Sequence, residues 1–253
     1  MSRKVSDTTG LSRLFHLNSE PWVNEKTGPE APFVQKTKTY PDARRVRLPD
    51  TAAGVVGRLA AKRRSVRAFA DAPLPLVDLA TVLRAGYSAI DPDPAAPGQT
   101  FLRRPVPSAG GLYPLEIYLL VRDVEGLAKG IYHYDVLGDD LELVADGPWE
   151  EAASAAFYTW EFINDAPVIL CIGAVFERTQ AKYGARGYRY VLLEAGHVTQ
   201  NLCLAATERD LASLCLGGYG DAALNRMLSV DGLEEAVVYT VAIGVSADNA
   251  EKV

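Results

Sequence analysis

The sequence has few of the residues that hold metal ions or form disulfides: its 253 residues include three cysteines and three histidines. Cys171, Cys203 and Cys215 all lie among apolar residues. No spacing among the cysteines and histidines matches a zinc site, so we expect no metal ion. An odd number of thiols with apolar neighbours favours a reducing, cytoplasmic compartment.

Long apolar runs and an excess of positive charge are also missing. No segment reaches the roughly 18 apolar residues that a membrane helix needs, so we expect no membrane span. The basic residues near the N-terminus are not followed by an apolar stretch, so we expect no signal peptide. The net charge of −6 gives no general electrostatic attraction to nucleic acid or to anionic membranes.

Several familiar catalytic and nucleotide-binding motifs are absent as well. The sequence contains no Walker loop, no GxGxxG after a strand and no Ser-His-Asp order. What is present is an ordinary globular composition, with 48% hydrophobic and 23% charged residues, which allows a sizeable core.

The first 50 residues differ from the rest of the chain. They hold five helix-breaking prolines and show no apolar periodicity. We expect residues 1–50 to form an irregular arm that wraps over another surface, with LFHLNSEPW (14–22) supplying the apolar contacts. Residues 51–253 are expected to form one domain.

Helix and strand patterns mix in the remaining chain. Apolar spacing predicts helices within 51–69, 73–90, 147–162, 186–210 and 221–228. Apolar or alternating runs predict strands within 115–121, 130–144 (two strands), 167–176, 211–219 and 235–244. Because strict βαβ alternation is absent, the predicted fold class is α+β.

A cluster of arginines follows the first of these helices. The segment RRSVR (63–67) places Arg63, Arg64 and Arg67 around Ser65. In an extended chain Arg63, Ser65 and Arg67 share one side, where they can hold a phosphate and a polar ring edge. The alternative is a solvated basic patch at a helix end, where cations also suit the helix dipole.

Two glycine pairs open the backbone to a ligand. In RPVPSAGGLYP (104–114), prolines restrict the chain before Gly110-Gly111, and Ser108 adds a hydroxyl. Gly217-Gly218 follows a predicted strand. Glycine lets a backbone approach a flat or anionic ligand without a Cβ in the way, although a tight turn is the simpler explanation of each pair. Together with the arginines, the two openings suggest a single ligand that is contacted from several directions.

The segment KYGARGYRY (182–190) is the densest in polar and aromatic residues. Lys182 and Tyr183 can both move a proton if burial shifts their pKa values. The alternative is an exposed helix start. Glu194 and His197 lie three residues apart, and we interpret them as a structural ion pair rather than a catalytic dyad.

Five segments in this order carry a family resemblance: RRSVRAF, RRPVPSAGGLYPLEIYLLV, GIYHYD, KYGARGYRYVLLEAGHVTQNLCLAATERDL and CLGGYGDAAL. Through residues 58–244 the chain resembles the SagB-type dehydrogenases of the nitroreductase superfamily, flavin-dependent oxidases that convert peptide thiazolines and oxazolines into azoles. The resemblance implies a central mixed or antiparallel sheet surrounded by helices, a domain at 51–253 that binds FMN, and an intertwined homodimer.

The resemblance also assigns roles to residues. Lys182 and Tyr183 match the pair to which the family assigns proton transfer. Cofactor-binding positions of the family are matched by an arginine segment, by a loop that typically reaches the flavin from the other subunit, and by a turn beside the flavin ring. These positions are Arg63, Arg64, Ser65 and Arg67; Pro107, Ser108, Ala109 and Gly110; and Leu216, Gly217 and Gly218.

The chain departs from the family pattern in two places. Asp210 stands where glycine is common, and the late basic phosphate ligand of many nitroreductases is not evident. Only Lys252 remains as a candidate for that ligand.

The activity implied by the resemblance is FMN-dependent oxidation of azoline rings in a ribosomal peptide, with O₂ as the expected oxidant and a cyclodehydratase complex as a candidate partner. One alternative is an oxidoreductase on the same scaffold that desaturates a small or carrier-bound substrate, or reduces a nitro compound or quinone with NAD(P)H. Another is a flavin-binding scaffold subunit without turnover of its own.

Overall fold

The computed structural model describes residues 9–20, 37–90 and 102–247. The helices within these ranges are α1 (Thr9–Asn18), α2 (Val55–Lys62), α3 (Leu76–Tyr87), α4 (Glu150–Ala156), α5 (Glu177–Tyr183), α6 (Arg186–Glu208) and α7 (Asp221–Met227). The strands are β1 (Leu115–Val121), β2 (Gly130–Asp135), β3 (Asp140–Asp146), β4 (Val168–Val175), β5 (Ala212–Leu216) and β6 (Glu235–Gly244). Short 3₁₀ turns lie at Ala109–Gly111 and Trp160–Phe162.

The strands form one six-stranded sheet in the order β3-β2-β1-β4-β6-β5, and every neighbouring pair runs antiparallel. This confirms the predicted α+β class and makes the sheet antiparallel rather than mixed. β1 lies inside the sheet between β2 and β4, as its nearly continuous run of apolar residues predicts.

Helices cover both faces of the sheet. On β1, Leu115, Ile117 and Leu119 belong to the core that includes residues of α3 and α6, whereas Leu120 belongs to the core that includes residues of α4 and α7. Successive side chains of a strand point to opposite faces, so the positions of β1 that helices cover are apolar on both faces. The two cores together fix the sheet as the rigid platform for the loops at its ends.

Helix α6 ends in a hydrogen-bonded motif that normally requires glycine. The N–H of Leu211 donates to the carbonyl of Ala206 (2.8 Å), and the N–H of Asp210 donates to that of Thr207 (3.3 Å). This is the Schellman pattern, whose residue after the helix cap adopts a left-handed conformation. Asp210 occupies that position with φ 58°, so backbone strain falls on the residue at which the resemblance implies a glycine.

The arm differs in part from the sequence-based expectation. The prediction of irregular structure is wrong for residues 9–18, which form α1. The prolines of the arm lie outside this short segment, so no proline prevents a helix there. α1 docks on the domain through a hydrogen bond from Gln180 Nε2 to Ser12 Oγ (2.8 Å) and a contact of His16 Nδ1 with Tyr188 Oη (3.1 Å). Residues 37–50 hold no helix or strand, and the division into arm and domain stays a prediction.

Within the described ranges, no helix combines the length and apolar character needed to cross a membrane. Those same ranges contain no group of three or more His, Cys, Asp or Glu side chains suited to a metal ion.

Replacing Asp210 separates backbone strain from charge. Asp210→Gly and Asp210→Ala both remove the ion pair with Lys62, whose two side chains are exposed and which therefore contributes little. Only glycine relieves the left-handed strain, worth roughly 1–2 kcal/mol per residue. We expect the glycine variant to exceed the alanine variant in free energy of unfolding, measured with urea, by about 1 kcal/mol. Equal free energies of unfolding for the two variants would show that the backbone at position 210 carries no left-handed strain.

Candidate functional site

Lys182 and Tyr183 form the C-terminal end of α5, and Gly184, with φ 56°, separates them from α6. The alternative in which Lys182 and Tyr183 form an exposed helix start is therefore wrong, because the two residues end a helix. Arg178, one turn earlier, binds the Glu116 carboxylate (2.5 Å) on β1 and donates to the carbonyl of Tyr113 (3.4 Å). α5 is thus tied both to the central strand and to the loop that precedes it.

Glu116 is held from its other side by a histidine. His133 Nε2 lies 3.0 Å from Glu116 Oε2, and His133 Nδ1 lies 2.8 Å from Glu142 Oε2. The hydrogen bond to Glu116 raises the pKa of His133 to about 9 against the effect of burial, and Glu142 adds to the rise. The imidazolium therefore helps to fix the carboxylate that anchors Arg178.

The loop before β1 is shaped by its own hydrogen bonds. The Oγ of Ser108 accepts from the N–H of Tyr113 (2.9 Å), and the carbonyl of Ser108 accepts from the N–H of Gly111 (3.1 Å). Gly110 takes a left-handed φ of 66° inside this turn. Pro107 and Gly110 are exposed, and Ala109 is half-buried, so the loop presents its backbone outward.

The loop and the Lys-Tyr pair meet at Gly110. A Cβ placed on Gly110 would lie 2.8 Å from Tyr183 Oη and 2.9 Å from Lys182 Nζ. The phenol and the ammonium therefore converge on a backbone position that only glycine leaves open. The resemblance places this loop against the flavin of the other subunit; within one chain the loop meets the candidate proton-transfer residues.

The side chains of Lys182 and Tyr183 are only partly buried. Lys182 is exposed and Tyr183 half-buried, and the Tyr183 ring packs edge-to-face on Tyr190 at 5.1 Å. Lys182 Nζ lies 5.4 Å from the centre of the Tyr183 ring. Among the described residues, the burial expected to shift the pKa values of Lys182 and Tyr183 is therefore not present.

A buried carboxylate fixes the loop from behind. Glu194 on α6 is 2% exposed and accepts hydrogen bonds from Tyr87 Oη (2.9 Å) and from Ser108. The Tyr87 hydroxyl in turn accepts from the N–H of Leu115, the first residue of β1. The interpretation of Glu194 as the partner of His197 is wrong, because His197 is exposed and Glu194 binds these two hydroxyls.

Burial raises the pKa of Glu194, and the hydrogen bonds from Ser108 and Tyr87 and the charge of Arg104 only partly oppose this rise. The Arg104 guanidinium lies over the ring of Tyr87 at 4.4 Å and over that of Tyr113 at 5.2 Å, and it donates to the Tyr87 carbonyl. These residues were not among the sequence candidates. The sequence did contain a signal for this buried network. Glu194 is a charged residue on the apolar stripe of the predicted helix, between Val191 and Val198 at helical spacing.

The arginine segment lies against β5. Ser65 pairs with Ser213 of β5, and the N–H of Val66 donates to the Ser213 carbonyl (3.1 Å). Arg67 Nη1 approaches the Ser65 carbonyl at 3.5 Å. Arg64 instead folds back and donates to Ala61 O and Arg63 O at the end of α2, as in the helix-end alternative.

The second glycine pair follows directly at the end of β5. Thr240 Oγ1 donates to the Leu216 carbonyl (2.9 Å), which fixes the strand end, and a Cβ on Gly217 would meet no atom within 4 Å. Gly217 borders a cavity of about 250 Å³ that Phe15, Tyr188 and other residues also line. The backbone there is open to a flat ligand.

The candidate residues thus form two groups in one chain. Group one contains the loop of Ser108–Gly110 with Lys182 and Tyr183; group two contains the arginine segment, β5 and the Leu216–Gly218 turn. Across the described residues, no hydrogen bond or ion pair joins the two groups, and α6 contacts both. Group two suits FMN chemically: guanidinium groups and a hydroxyl match a phosphate, and the open turn leaves room for a ring.

A family model described as "Nitroreductase family" matches residues 60–245, and the chain belongs to this family. The chain is 37% identical over 189 residues to "Putative nitroreductase MJ1384" of Methanocaldococcus jannaschii, covering 75% of this chain and 91% of that protein. It is 33% identical over 145 residues to the "Microcin B17-processing protein McbC" of Escherichia coli, covering 55% of this chain. That match spans about half of McbC, 52% of its length.

Solved structures show the same fold. A chain of the E. coli microcin synthetase McbBCD complex with truncated pro-MccB17 bound matches 96% of this chain and 83% of its own length, with 26% identity and a TM-score of 0.61. A nitroreductase-like protein from Desulfovibrio desulfuricans, solved in complex with FMN, covers 78% of this chain and 90% of its own, with 20% identity and a TM-score of 0.55. The nitroreductase-like fold implied by the resemblance is confirmed; Lys252 lies outside the described residues.

Glu194 provides a test of the buried network. Its folded-state pKa is raised, so its contribution to stability is present below the unfolded value near 4.5 and is lost as pH rises and the carboxyl ionises. Glu194→Gln mimics the protonated form; we expect its advantage in free energy of unfolding over the wild type to grow from pH 4.5 toward pH 8.

Glu194→Ala is the matched comparison, because it leaves the hydroxyls of Tyr87 and Ser108 without their acceptor. The expected loss is about 1–3 kcal/mol for each buried group left unsatisfied, at all pH values. A glutamine variant whose stability follows that of the wild type across this pH range would contradict a protonation-linked role.

Proposed function

We propose that this protein is an FMN-dependent dehydrogenase that oxidises azoline rings of a ribosomal peptide to azoles, with O₂ as the terminal oxidant. The observation that carries the proposal is the convergence of Lys182 Nζ and Tyr183 Oη on the exposed backbone of Gly110. Two proton-moving groups at one open glycine suit the removal of a C–H proton from a substrate that lies flat against the loop.

Similarity to McbC supports a peptide substrate. McbC is named as a microcin B17-processing protein, and the matched structure holds a synthetase complex with a truncated precursor peptide bound. We propose a related setting for this chain: a peptide substrate and association with a cyclodehydratase complex, in the cytoplasm.

The residues of group two would hold FMN. Arg63, Ser65 and Arg67 would bind its phosphate, and the Gly217-Gly218 turn would lie beside its ring. When bound, FMN supplies the acceptor for the hydrogen that leaves the substrate as hydride. The protein would position the cofactor and the substrate and would accept the proton that leaves the substrate.

The chain itself would move the proton. The C–H next to the carbonyl of an azoline is acidic, and aromatisation favours its loss. Tyr183 Oη and Lys182 Nζ would face such a C–H in a substrate that lies against the loop at Gly110, and the ring of Tyr190 limits the position of Tyr183. Glu194, through Ser108, keeps the loop in place while Arg178 keeps α5 in place.

A homodimer would bring the two groups together. They lie apart in one chain, and apolar side chains stand exposed on α2 and α6: Val55, Val56 and Leu193 are 60%, 68% and 56% exposed. Pairing of these faces would remove apolar surface from water and place the loop of one subunit over the flavin of the other.

Light scattering of the FMN-loaded protein should give the mass of two chains.

A second function is favoured by one observation. One relative, of which the chain covers 91%, is named "Putative nitroreductase MJ1384", so reduction of a nitro compound with NAD(P)H is the competing activity. A flavin-binding scaffold without turnover is disfavoured, because a scaffold has no need of Lys182 and Tyr183 at Gly110.

One experiment separates the three functions. The purified, flavin-loaded protein is given a thiazoline peptide under air, and separately NAD(P)H with a nitroarene. Oxygen consumption with a peptide mass loss of two hydrogens supports the proposal. NAD(P)H oxidation alone supports a nitroreductase, and no turnover in either assay supports a scaffold.

Four variants test the assigned roles. Lys182→Ala and Tyr183→Phe should keep FMN absorbance and lower azole formation about 10²–10⁴-fold, the usual cost of losing a general base or acid. Arg67→Ala should lose flavin first, because the phosphate loses its bidentate partner. Arg64→Ala is the matched control and should keep flavin, because that side chain folds onto α2. Normal turnover of flavin-loaded Lys182→Ala would refute the catalytic role.

A further inference from the structure

Two cysteines of the chain face each other between α6 and β5, the strand that belongs to group two. Cys203 on α6 and Cys215 on β5 place their sulfur atoms 3.5 Å apart. A disulfide needs about 2.05 Å, so the two sulfurs would have to approach by roughly 1.5 Å. The remaining cysteine, Cys171, is fully buried in the opposite core and provides an internal reference.

The contact between the two sulfur atoms also favours the thiolate form of Cys203. A hydrogen bond with Cys215 lowers the pKa of Cys203 to about 7, despite burial, and Ser213 and the positive charge of Arg63 act in the same direction. Thiolate is the nucleophilic form of cysteine. Cys203 is buried, whereas Cys215 is half-buried, so the pair borders solvent on the side of Cys215 and a small oxidant would approach from there.

Cys215 also lies within the candidate cofactor-binding group, on β5. Ser213, two residues before Cys215, holds the backbone of Ser65 and Val66. Leu216 and Gly217 follow Cys215 directly. A shift of Cys215 toward α6 would therefore displace β5 between the predicted phosphate-binding residues and the predicted ring-binding turn.

We propose that Cys203 and Cys215 form a redox-active dithiol that hydrogen peroxide closes to a disulfide, and that this disulfide weakens binding at the neighbouring phosphate-binding segment. The Cys203 thiolate attacks a peroxide oxygen, giving a sulfenic acid and, with one proton, water. The Cys215 thiol then displaces the sulfenic oxygen as a second water, and the S–S bond forms. The two sulfurs lose two electrons, which reduce one peroxide to two waters.

The oxidant is a product of the proposed chemistry. An oxidase that passes electrons to O₂ releases hydrogen peroxide, so the dithiol lies beside its own source of oxidant. In a reducing compartment a disulfide of this kind is transient and is reopened by cellular thiols. The effect on the cofactor rests on the proposed function, whereas disulfide formation does not.

Disulfide formation is tested on the flavin-free chain with stoichiometric hydrogen peroxide. We expect the intact mass to fall by two hydrogens, the free thiols in denaturant to fall from three to one, and dithiothreitol to reverse both changes. Peptide mapping should leave Cys171 as the free thiol. Cys215→Ser should form no disulfide and should accumulate a dimedone-reactive Cys203.

Cofactor binding is then measured by flavin fluorescence on the reduced and the oxidised chain. The oxidised chain should bind FMN more weakly by about 5- to 150-fold, the usual range of coupling between two sites. Failure to form the intramolecular disulfide, or formation of a link between chains instead, overturns the proposal. A disulfide without change in FMN affinity overturns the coupling, and a reduced chain that binds no FMN refutes the proposed function while leaving the dithiol established by mass.

Discussion

The contact between Gly110 and the ends of Lys182 and Tyr183 is the constraint on which the rest of the site depends. Both side chains reach a point where a Cβ would stand less than 3 Å away. Such an approach demands that the loop and α5 be held independently and accurately. The loop is held by Ser108, through the buried carboxylate of Glu194, and α5 is held by the ion pair that Arg178 makes with β1.

The two-sided core explains why these anchors are rigid. Glu194 lies on α6, which packs against α3 on one face of the sheet, and Glu116 lies on β1, whose residues contribute to the cores on both faces. α6 also contacts β5, so one helix connects the proposed proton-transfer residues to the segment that would hold the flavin phosphate. The nitroreductase-like fold thus places two open backbone positions on a common frame, and the proposed homodimer would complete the space between them.

The sheet, the long helix and the order of elements could be predicted from the sequence, because apolar periodicity records burial directly. Helix α1 was missed because the prolines around it dominated the composition of the arm. The partner of Glu194 was also missed: Tyr87 and Ser108 lie far from it in sequence, and only the fold brings their hydroxyls to the carboxylate. The departure at Asp210 was visible from the sequence, but its physical meaning, a left-handed residue at the end of α6, required the backbone.

Replacement of Gly110 by alanine tests the central contact most directly, with Gly111→Ala as its control. Both glycines have φ 66°, so both variants carry the same backbone strain, but only the methyl group at position 110 would collide with Lys182 and Tyr183. The atoms it would meet are the free ends of flexible side chains, so it should displace them without unfolding the protein. The measurement is the rate of azole formation at full flavin occupancy. The account predicts a loss approaching that of Lys182→Ala for Gly110→Ala and a much smaller loss for Gly111→Ala; equal rates for the two variants would contradict it.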